Sequence, residues 1–338
     1  MNNTAVVILN WNGTAHLRRF LPSVVANTPK QVRIIVADNG STDDSVEILE
    51  QEFPTVERLR LERNYGFAEG YNRALEMVEA EYCVLLNSDV ETPKGWLEPL
   101  VARLNADERV AAVAPKLLWS EDREQFEYAG ASGGFIDYLG YPFCRGRIMK
   151  CVERDCGQYD EPREVFWASG AAFCCRLDVF KALGGFASHF FAHMEEIDLC
   201  WRMHLAGYKV EVEPRSKVYH FGGGTLATDS PNKIFLNHRN NLAMLFRCST
   251  AGQRAVVAVV RPLLDALAAL SYAVKGNFRG AWAVARAYVD FVRWHSRLAR
   301  ERRQIRSTAV APGCPNTLFR GSIVLRYMFG KRKFEKLM

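Results

Sequence analysis

Residues 32–41 read VRIIVADNGS. The apolar run Val32–Ala37 predicts a buried strand, and Asp38-Asn39-Gly40-Ser41 predicts the turn that ends it. The same pattern recurs on both sides. Ala5–Leu9 is an apolar run that stops at the turn Asn10–Thr14, Val56–Leu61 is a shorter run, and Tyr82–Leu86 stops at Asn87-Ser88-Asp89. Helical patterns separate these runs, near 15–27, 45–53 and 67–79. Strands alternating with helices imply an α/β fold with a mostly parallel, Rossmann-like sheet flanked by helices. Right-handed crossovers place the strand C-termini along one rim, where open α/β sheets bind ligands. Asp38 and Asp89 are therefore expected on one rim, as a pair able to serve a base, a metal or an acid/base step.

From Trp119 to Phe166 the pattern loosens into Gly, Tyr and charge, an irregular excursion of the kind that is often functional. Helices are expected again near 177–183 and 196–206, and Tyr219–Gly224 reads as a loop. Beyond Leu245 the chain is helical and basic. The whole chain of 338 residues carries a net charge of +6, yet from Arg247 onward eighteen Lys or Arg face four Asp or Glu. An acidic body with a basic extension points to an anionic partner for the extension. The apolar segment Ala255–Val274 is interrupted by Arg261, Pro262 and Asp265, so it reads as an amphipathic or core helix rather than a membrane span. Trp282, Tyr288, Phe291 and Trp294 are interleaved with Arg279, Arg286, Arg293 and Arg297, the mixture an interfacial helix needs.

Composition excludes several classes. A chain that is 49% hydrophobic and 24% charged is not disordered in bulk. The nine cysteines form no CxxC pair and read as free thiols in a reducing cytosol rather than a disulfide framework or zinc site. MNNTAVVILNWNG lacks the basic and long apolar regions of a signal peptide. The expected location is the cytoplasm, peripheral on the membrane. No recognised nucleic-acid module accompanies the basic extension, so no nucleic-acid partner is expected.

VVILNWNG, VADNGSTDDS, ERNYGFAEGYNRAL and VLLNSDVETPKGWL occur in this order, followed by SGAAFCCRLDVFKALGGF and FFAHMEEIDLCWRMHLAGYKV. Together they resemble family 2 glycosyltransferases of GT-A fold, and the rhamnosyltransferase-like branch most. The resemblance implies a catalytic domain over residues 1–245. Within it, about 1–118 form the nucleotide-sugar half and 119–245 the acceptor half, and a basic helical region over 246–338 follows. It implies that Asp38 accepts the N3–H of uracil or thymine, with Asn10, Asn64, Gly66 and Phe67 lining the nucleotide. Asn87-Ser88-Asp89 stands at the family's DxD motif, with Asn for the first Asp, and Asp89 would bind Mn²⁺ or Mg²⁺. His220 would be a further metal ligand. Glu196 falls at the catalytic base, and Trp167, Ser169, Gly170, Glu195 and Asp198 fall on the acceptor side. The implied activity is inverting, metal-dependent transfer of a sugar such as L-rhamnose from a dTDP or UDP donor. The acceptor would be a hydroxyl of a lipid-linked saccharide in cell-surface polysaccharide synthesis. The alternative is a nucleotide-sugar-binding module without transfer activity.

Overall fold

The computed structural model describes residues 3–222 and 230–337. The first half runs β1 (Thr4–Asn10), α1 (Thr14–Asn27), β2 (Arg33–Asp38), α2 (Ser45–Gln51), β3 (Glu57–Arg60), α3 (Gly66–Glu76) and β4 (Tyr82–Asn87). Next come β5 (Val90–Glu91), α4 (Glu98–Ala106), β6 (Val110–Trp119) and β7 (Asp122–Phe126). β1 pairs in parallel with β2 on one side and β4 on the other, and β3 extends the sheet beyond β2. Their residues alternate between two covered faces. Val6 and Ile8 pack with α1 and α4 residues such as Leu17, Leu21 and Leu100. Ala5 and Val7 pack with Tyr71, Ala74 and Leu75 of α3. Burial on both faces is why these strands read as unbroken apolar runs.

The sheet is mixed rather than mostly parallel. The excursion over 119–166 builds a separate four-stranded sheet from β8 (Gly134–Ile136), β9 (Pro142–Cys144), β10 (Arg147–Ile148) and β11 (Cys151–Val152). The chain then returns through β12 (Arg163–Val165), β13 (Ala172–Arg176), α5 (Leu177–Ala182), α6 (Glu195–Leu205) and β14 (Lys209–His220). β13 inserts antiparallel between β4 and β6, while β14 runs parallel to β6. β14 extends through His220, which pairs with Val90, so His220 ends a strand instead of lying in the expected loop. Gly222 follows with φ +70°, whereas Gly223 and Gly224 lie outside the described residues.

Four long helices and a short one close the chain: α7 (Pro231–Cys248), α8 (Ala251–Val274), α9 (Phe278–Arg293), α10 (His295–Ser307) and α11 (Ile323–Met328). The expected boundary at residue 245 falls inside α7. The C-terminal residues are built into the body. Phe334 packs against the rings of Phe135 and Phe143 on the small sheet and of Tyr159 in the segment after it, at 5.1–6.2 Å. Asp137 accepts from the Ile323 N–H at 2.9 Å, and Glu153 accepts from the Phe334 N–H at 3.0 Å.

One turn at the rim tolerates only glycine. Gly40 has φ +73°, and a Cβ there would stand 2.5 Å from the Arg63 Cα. Gly40→Ala should therefore cost about 2–4 kcal/mol, from the left-handed conformation plus displaced backbone. Urea unfolding should show a lower midpoint at unchanged slope; a midpoint equal to the parent's would contradict the packing described.

Candidate functional site

Three strand ends supply the residues expected on the nucleotide side. Asn10, fully buried at the end of β1, reaches Asp38 at 3.4 Å and Ser41 at 3.3 Å through its amide N–H. The other Asp38 oxygen accepts the Ser41 N–H at 3.1 Å. The carboxylate is thus oriented before any ligand arrives. Asn39 organises the adjoining loop: its amide donates to the Gly66 carbonyl at 3.0 Å and its oxygen accepts the Tyr65 N–H at 3.0 Å. Asn64 caps the same turn, accepting the Gly66 N–H at 2.8 Å. Gly66 has φ +79°, and a Cβ there would strike the Phe191 ring at 2.5 Å. Phe67 follows, edge-on to Tyr71 at 4.8 Å.

At the end of β4, Asp89 is buried and accepts from His220 Nε2 at 3.1 Å. The Asn87 amide stands 3.5 Å from the same nitrogen. The opposite nitrogen of His220, Nδ1, lies 3.3 Å from Glu127, though not in hydrogen-bonding alignment. Burial opposes the imidazolium, but the Glu127 and Asp89 carboxylates outweigh it and push the His220 pKa up to about 10. Burial likewise opposes the Asp89 carboxylate, and the His220 cation reverses that, holding its pKa below the usual value. Among the described residues no three His, Cys, Asp or Glu side chains converge on one point. Asp89 and His220 still suit a divalent ion together. Binding would require His220 to give up the proton it shares with Asp89, and the Glu127 carboxylate stands 3.3 Å from the other ring nitrogen.

The acceptor-side residues divide. Asn87 donates its N–H to the Ala171 carbonyl at 3.0 Å, which sets the start of β13 against the end of β4. Next to it is Gly170, where a Cβ would meet Phe67 at 3.5 Å and the Glu196 Cβ at 3.9 Å. Phe67 and Glu196 therefore both border Gly170. Glu195 and Glu196 begin α6, and one oxygen of each, Oε2, is buried without a hydrogen-bond partner. Burial raises both pKa values, that of Glu196 to about 7; the Glu196 charge raises Glu195 further.

Three of the residues expected on the acceptor side make internal contacts. Trp167 is a core residue: its indole N–H donates to the Phe135 carbonyl at 2.9 Å and its ring occupies the space a Cβ on Gly134 would need. Ser169 donates to the Ala129 carbonyl at 2.7 Å and shapes its own loop. Asp198, fully buried, is held by Arg202 at 2.8 Å and Arg247 at 2.9 Å. All three are thus engaged within the protein. Conversely, Asn39, Glu127 and Asn240 carry no motif of their own yet position the site. A groove of about 350 Å³ lined by Phe135, Arg163 and Phe334 contains none of the site residues.

Asn240 steadies the loop that precedes Glu195. Phe191, His193 and Met194 in this loop all have φ between 67° and 72°. Each such non-glycine residue costs on the order of 1–3 kcal/mol and persists only where the surroundings enforce it. The Asn240 amide donates to the carbonyls of Phe190, Ala192 and His193 at 2.8–3.0 Å, and the Phe191 carbonyl accepts from the N–H groups of Phe67 and Ala68. Asn240→Ala should lower stability by about 1–3 kcal/mol and lower turnover more than nucleotide affinity. Unchanged turnover by a folded variant would detach this loop from the chemistry.

Residues 5–150 match the model of glycosyl transferase family 2. An N-acetylglucosaminyl-diphospho-decaprenol L-rhamnosyltransferase of Mycobacterium tuberculosis is 26% identical over 71% of this chain and 83% of that protein. A pre-mycofactocin glycosyltransferase of the same species is 29% identical over 64% of this chain and 42% of its own length. Among solved structures, GalNAc-T7 with UDP, GalNAc and Mn²⁺ superposes with a TM-score of 0.60 at 18% identity, covering 77% of this chain and 50% of that one. S. aureus TarS 1–349 in complex with UDP gives 0.56 at 15% identity, covering 97% and 92%. With these motifs on a GT-A sheet, residues 5–150 form a family 2 glycosyltransferase domain, and the chain is rhamnosyltransferase-like.

Proposed function

We propose that the chain transfers a sugar, L-rhamnose by likeness to the mycobacterial relative, from a dTDP or UDP donor to a hydroxyl of a lipid-linked saccharide, with inversion. The observation that carries this reading is the pair of unpartnered carboxylate oxygens on Glu195 and Glu196, on the same rim as Asp38 and the Asp89–His220 pair. Asp38 holds the base, and Asn10 and the Asn39–Asn64 turn keep that end of the site in place. Asp89 and His220 would hold Mn²⁺ or Mg²⁺, whose charge would offset that on the leaving diphosphate. Phosphate oxygens complete such a shell, so two protein ligands suffice. A membrane-bound acceptor places the enzyme on the cytoplasmic face, with the basic region over 246–338 toward anionic lipid.

Two adjacent carboxylates with raised pKa values divide the labour. Between them the pair releases one proton near pH 7, through Glu196, while Glu195 stays protonated and can donate a hydrogen bond. Ionised Glu196 takes the proton of the acceptor hydroxyl as its oxygen bonds to the anomeric carbon. The bond from that carbon to the diphosphate breaks on the opposite face, which inverts the configuration.

The rate of transfer should fall about tenfold per pH unit below about 7 as Glu196 takes up its proton. Glu196→Gln should abolish transfer and keep nucleotide binding. The linked stability effect has a definite sign. The folded state holds the Glu196 proton more tightly than the unfolded chain does, so this group's contribution is full below about pH 4.5 and lost as pH rises through about 7. Glu196→Gln should therefore lose less stability than the parent between pH 5 and pH 8. Normal turnover by the Gln variant would remove Glu196 as base, and a parent protein with no turnover on any nucleotide sugar would favour the binding-module alternative.

Asp38→Ala should weaken UDP or dTDP binding tenfold or more, since a hydrogen bond to a charged group is worth roughly 1.5–3 kcal/mol. Asp89→Ala should abolish the gain in nucleotide affinity that Mn²⁺ brings. Calorimetry reads both, and equal affinities would move the base or the metal elsewhere.

A further inference from the structure

Helix α8 is built inside out. Its buried residues are Gln253, Val257, Arg261 and Asp265, one stripe at a spacing of four, and three of the four are polar. Its outward stripe is Val256, Val259, Leu263, Leu267, Leu270 and Val274, each 42–80% exposed. At 100° per residue these six fall within an arc of about 80°. A helix on a water-facing surface shows the reverse arrangement. The two charges of its middle are satisfied within the protein. Arg261 donates to the Leu139 carbonyl at 2.7 Å and pairs with Asp265 at 3.2 Å, which also accepts from the Tyr288 hydroxyl at 2.7 Å. Between Arg254 and Lys275 the outer side therefore carries no charge over a length of roughly 30 Å.

We infer that this outer face, continued by Phe278 and Trp282 at the start of α9, is seated in the apolar edge of an anionic bilayer, with α8 lying in the membrane plane. The inference deepens the membrane contact proposed above and rests on that reading for the source of the acceptor. α8 has the length and composition to cross a membrane, but its inner face is bonded to the body, through Gln253 to the Tyr138 carbonyl and through Arg261 to Leu139. Crossing would tear out those bonds, whereas lying in plane keeps them and buries only the apolar stripe. The other three aromatics interleaved with arginine are engaged inward: Tyr288 bonds Asp265, Phe291 packs on Phe246, and Trp294 lies between His189 and Arg239. Trp282 alone of that set is exposed.

Charge selects lipid over a second copy of the chain. Lys275 and Arg279, both exposed, follow the C-terminal end of the apolar stripe, while Arg254 turns to the inner side and stacks on Phe246. From Thr250 to Arg300 the only acids are Asp265, which is buried, and Asp290, which stands 3.3 Å from Arg293. A two-fold self-interface would bring this cationic rim against itself with no acid to meet it. An anionic headgroup layer supplies the missing charge.

The test uses the full chain and vesicles of phosphatidylcholine with or without phosphatidylglycerol. The parent should co-sediment with the anionic vesicles, and high salt should release only part of it, because the apolar contact survives screening. The double substitution Leu263→Glu, Leu267→Glu touches exposed side chains only. It should weaken vesicle binding by roughly a hundredfold or more and leave the melting temperature and UDP affinity as they were. Brominated lipid should quench the parent more than Trp282→Phe. Equal vesicle binding by the double variant overturns the proposal, as does a parent that ignores anionic vesicles. A double variant that turns a dimer into a monomer while still binding vesicles reassigns the face to self-association. Transfer to a water-soluble acceptor saccharide, measured without vesicles, reports on the glycosyltransferase reading separately.

Discussion

The ion triad around Asp198 is the contact on which the arrangement of the molecule depends. Asp198 lies one turn beyond Glu195 in α6, with no exposed surface, between Arg202 of its own helix and Arg247 near the end of α7. Arg247 in turn lies within 3.1 Å of Glu301 in α10. Removing one partner from such a buried set leaves an uncompensated charge, typically at a cost of about 3–5 kcal/mol. The triad therefore fixes the helix that carries the candidate base to the helices that follow it. Arg202 extends the clamp by donating to the carbonyls of Leu183 and Gly185, which brings in the segment after α5. A like-signed cluster of three acids within four residues is stable here because one member is neutralised in the core. The other two are left at the rim with raised proton affinity.

The parts of the fold that rest on local pattern were legible. β1, β2 and β4 are apolar because both faces of the sheet are covered, and each ends at its first polar residues. Those ends are Asn10, Asp38 and Asn87–Asp89, so the candidate nucleotide residues could be placed before any contact was known. The chain reversal at β13 was not legible, since an apolar strand carries no mark of its direction. Trp167 and Asp198 show the same limit at the level of single residues. Their types suit a sugar-binding site, but a gap opposite Gly134 and a pair of arginines from two helices decide where they point. Glu127 sits in the irregular stretch that builds the second sheet, and only the fold brings it to His220.

α8 carries this lesson furthest. Periodicity in its sequence reveals two faces but cannot say which is inside. Arg261 and Asp265 look like interruptions of an apolar helix; in the structure they are its anchor. The aromatics and arginines interleaved in and after the next helix looked like one interfacial surface, yet three of the four aromatics are used in packing while the four arginines stay exposed. Arg302 and Arg306 likewise donate to the carbonyls of Phe246, Cys248 and Ser249 at the end of α7. Part of the positive charge thus holds helices together rather than meeting a partner.

The anchoring of α8 also fixes how the two ends of the molecule communicate in space. The carbonyls of Tyr138 and Leu139 accept from Gln253 and Arg261, and the Gly140 carbonyl accepts from Asn241, which also receives Arg261. The Asn241 amide lies 3.8 Å from the Met194 sulfur, at the residue that precedes Glu195. A short run of buried polar contacts thus leads from the inner face of α8 to the head of α6. Such contacts hold only narrow ranges of distance and angle. If the outer face of α8 rests on lipid, the carboxylates are then held at a set height above that surface. A saccharide carried on a membrane lipid presents its hydroxyl at a height fixed by its own length, and a rigid spacer selects acceptors of matching length without any contact along the chain between.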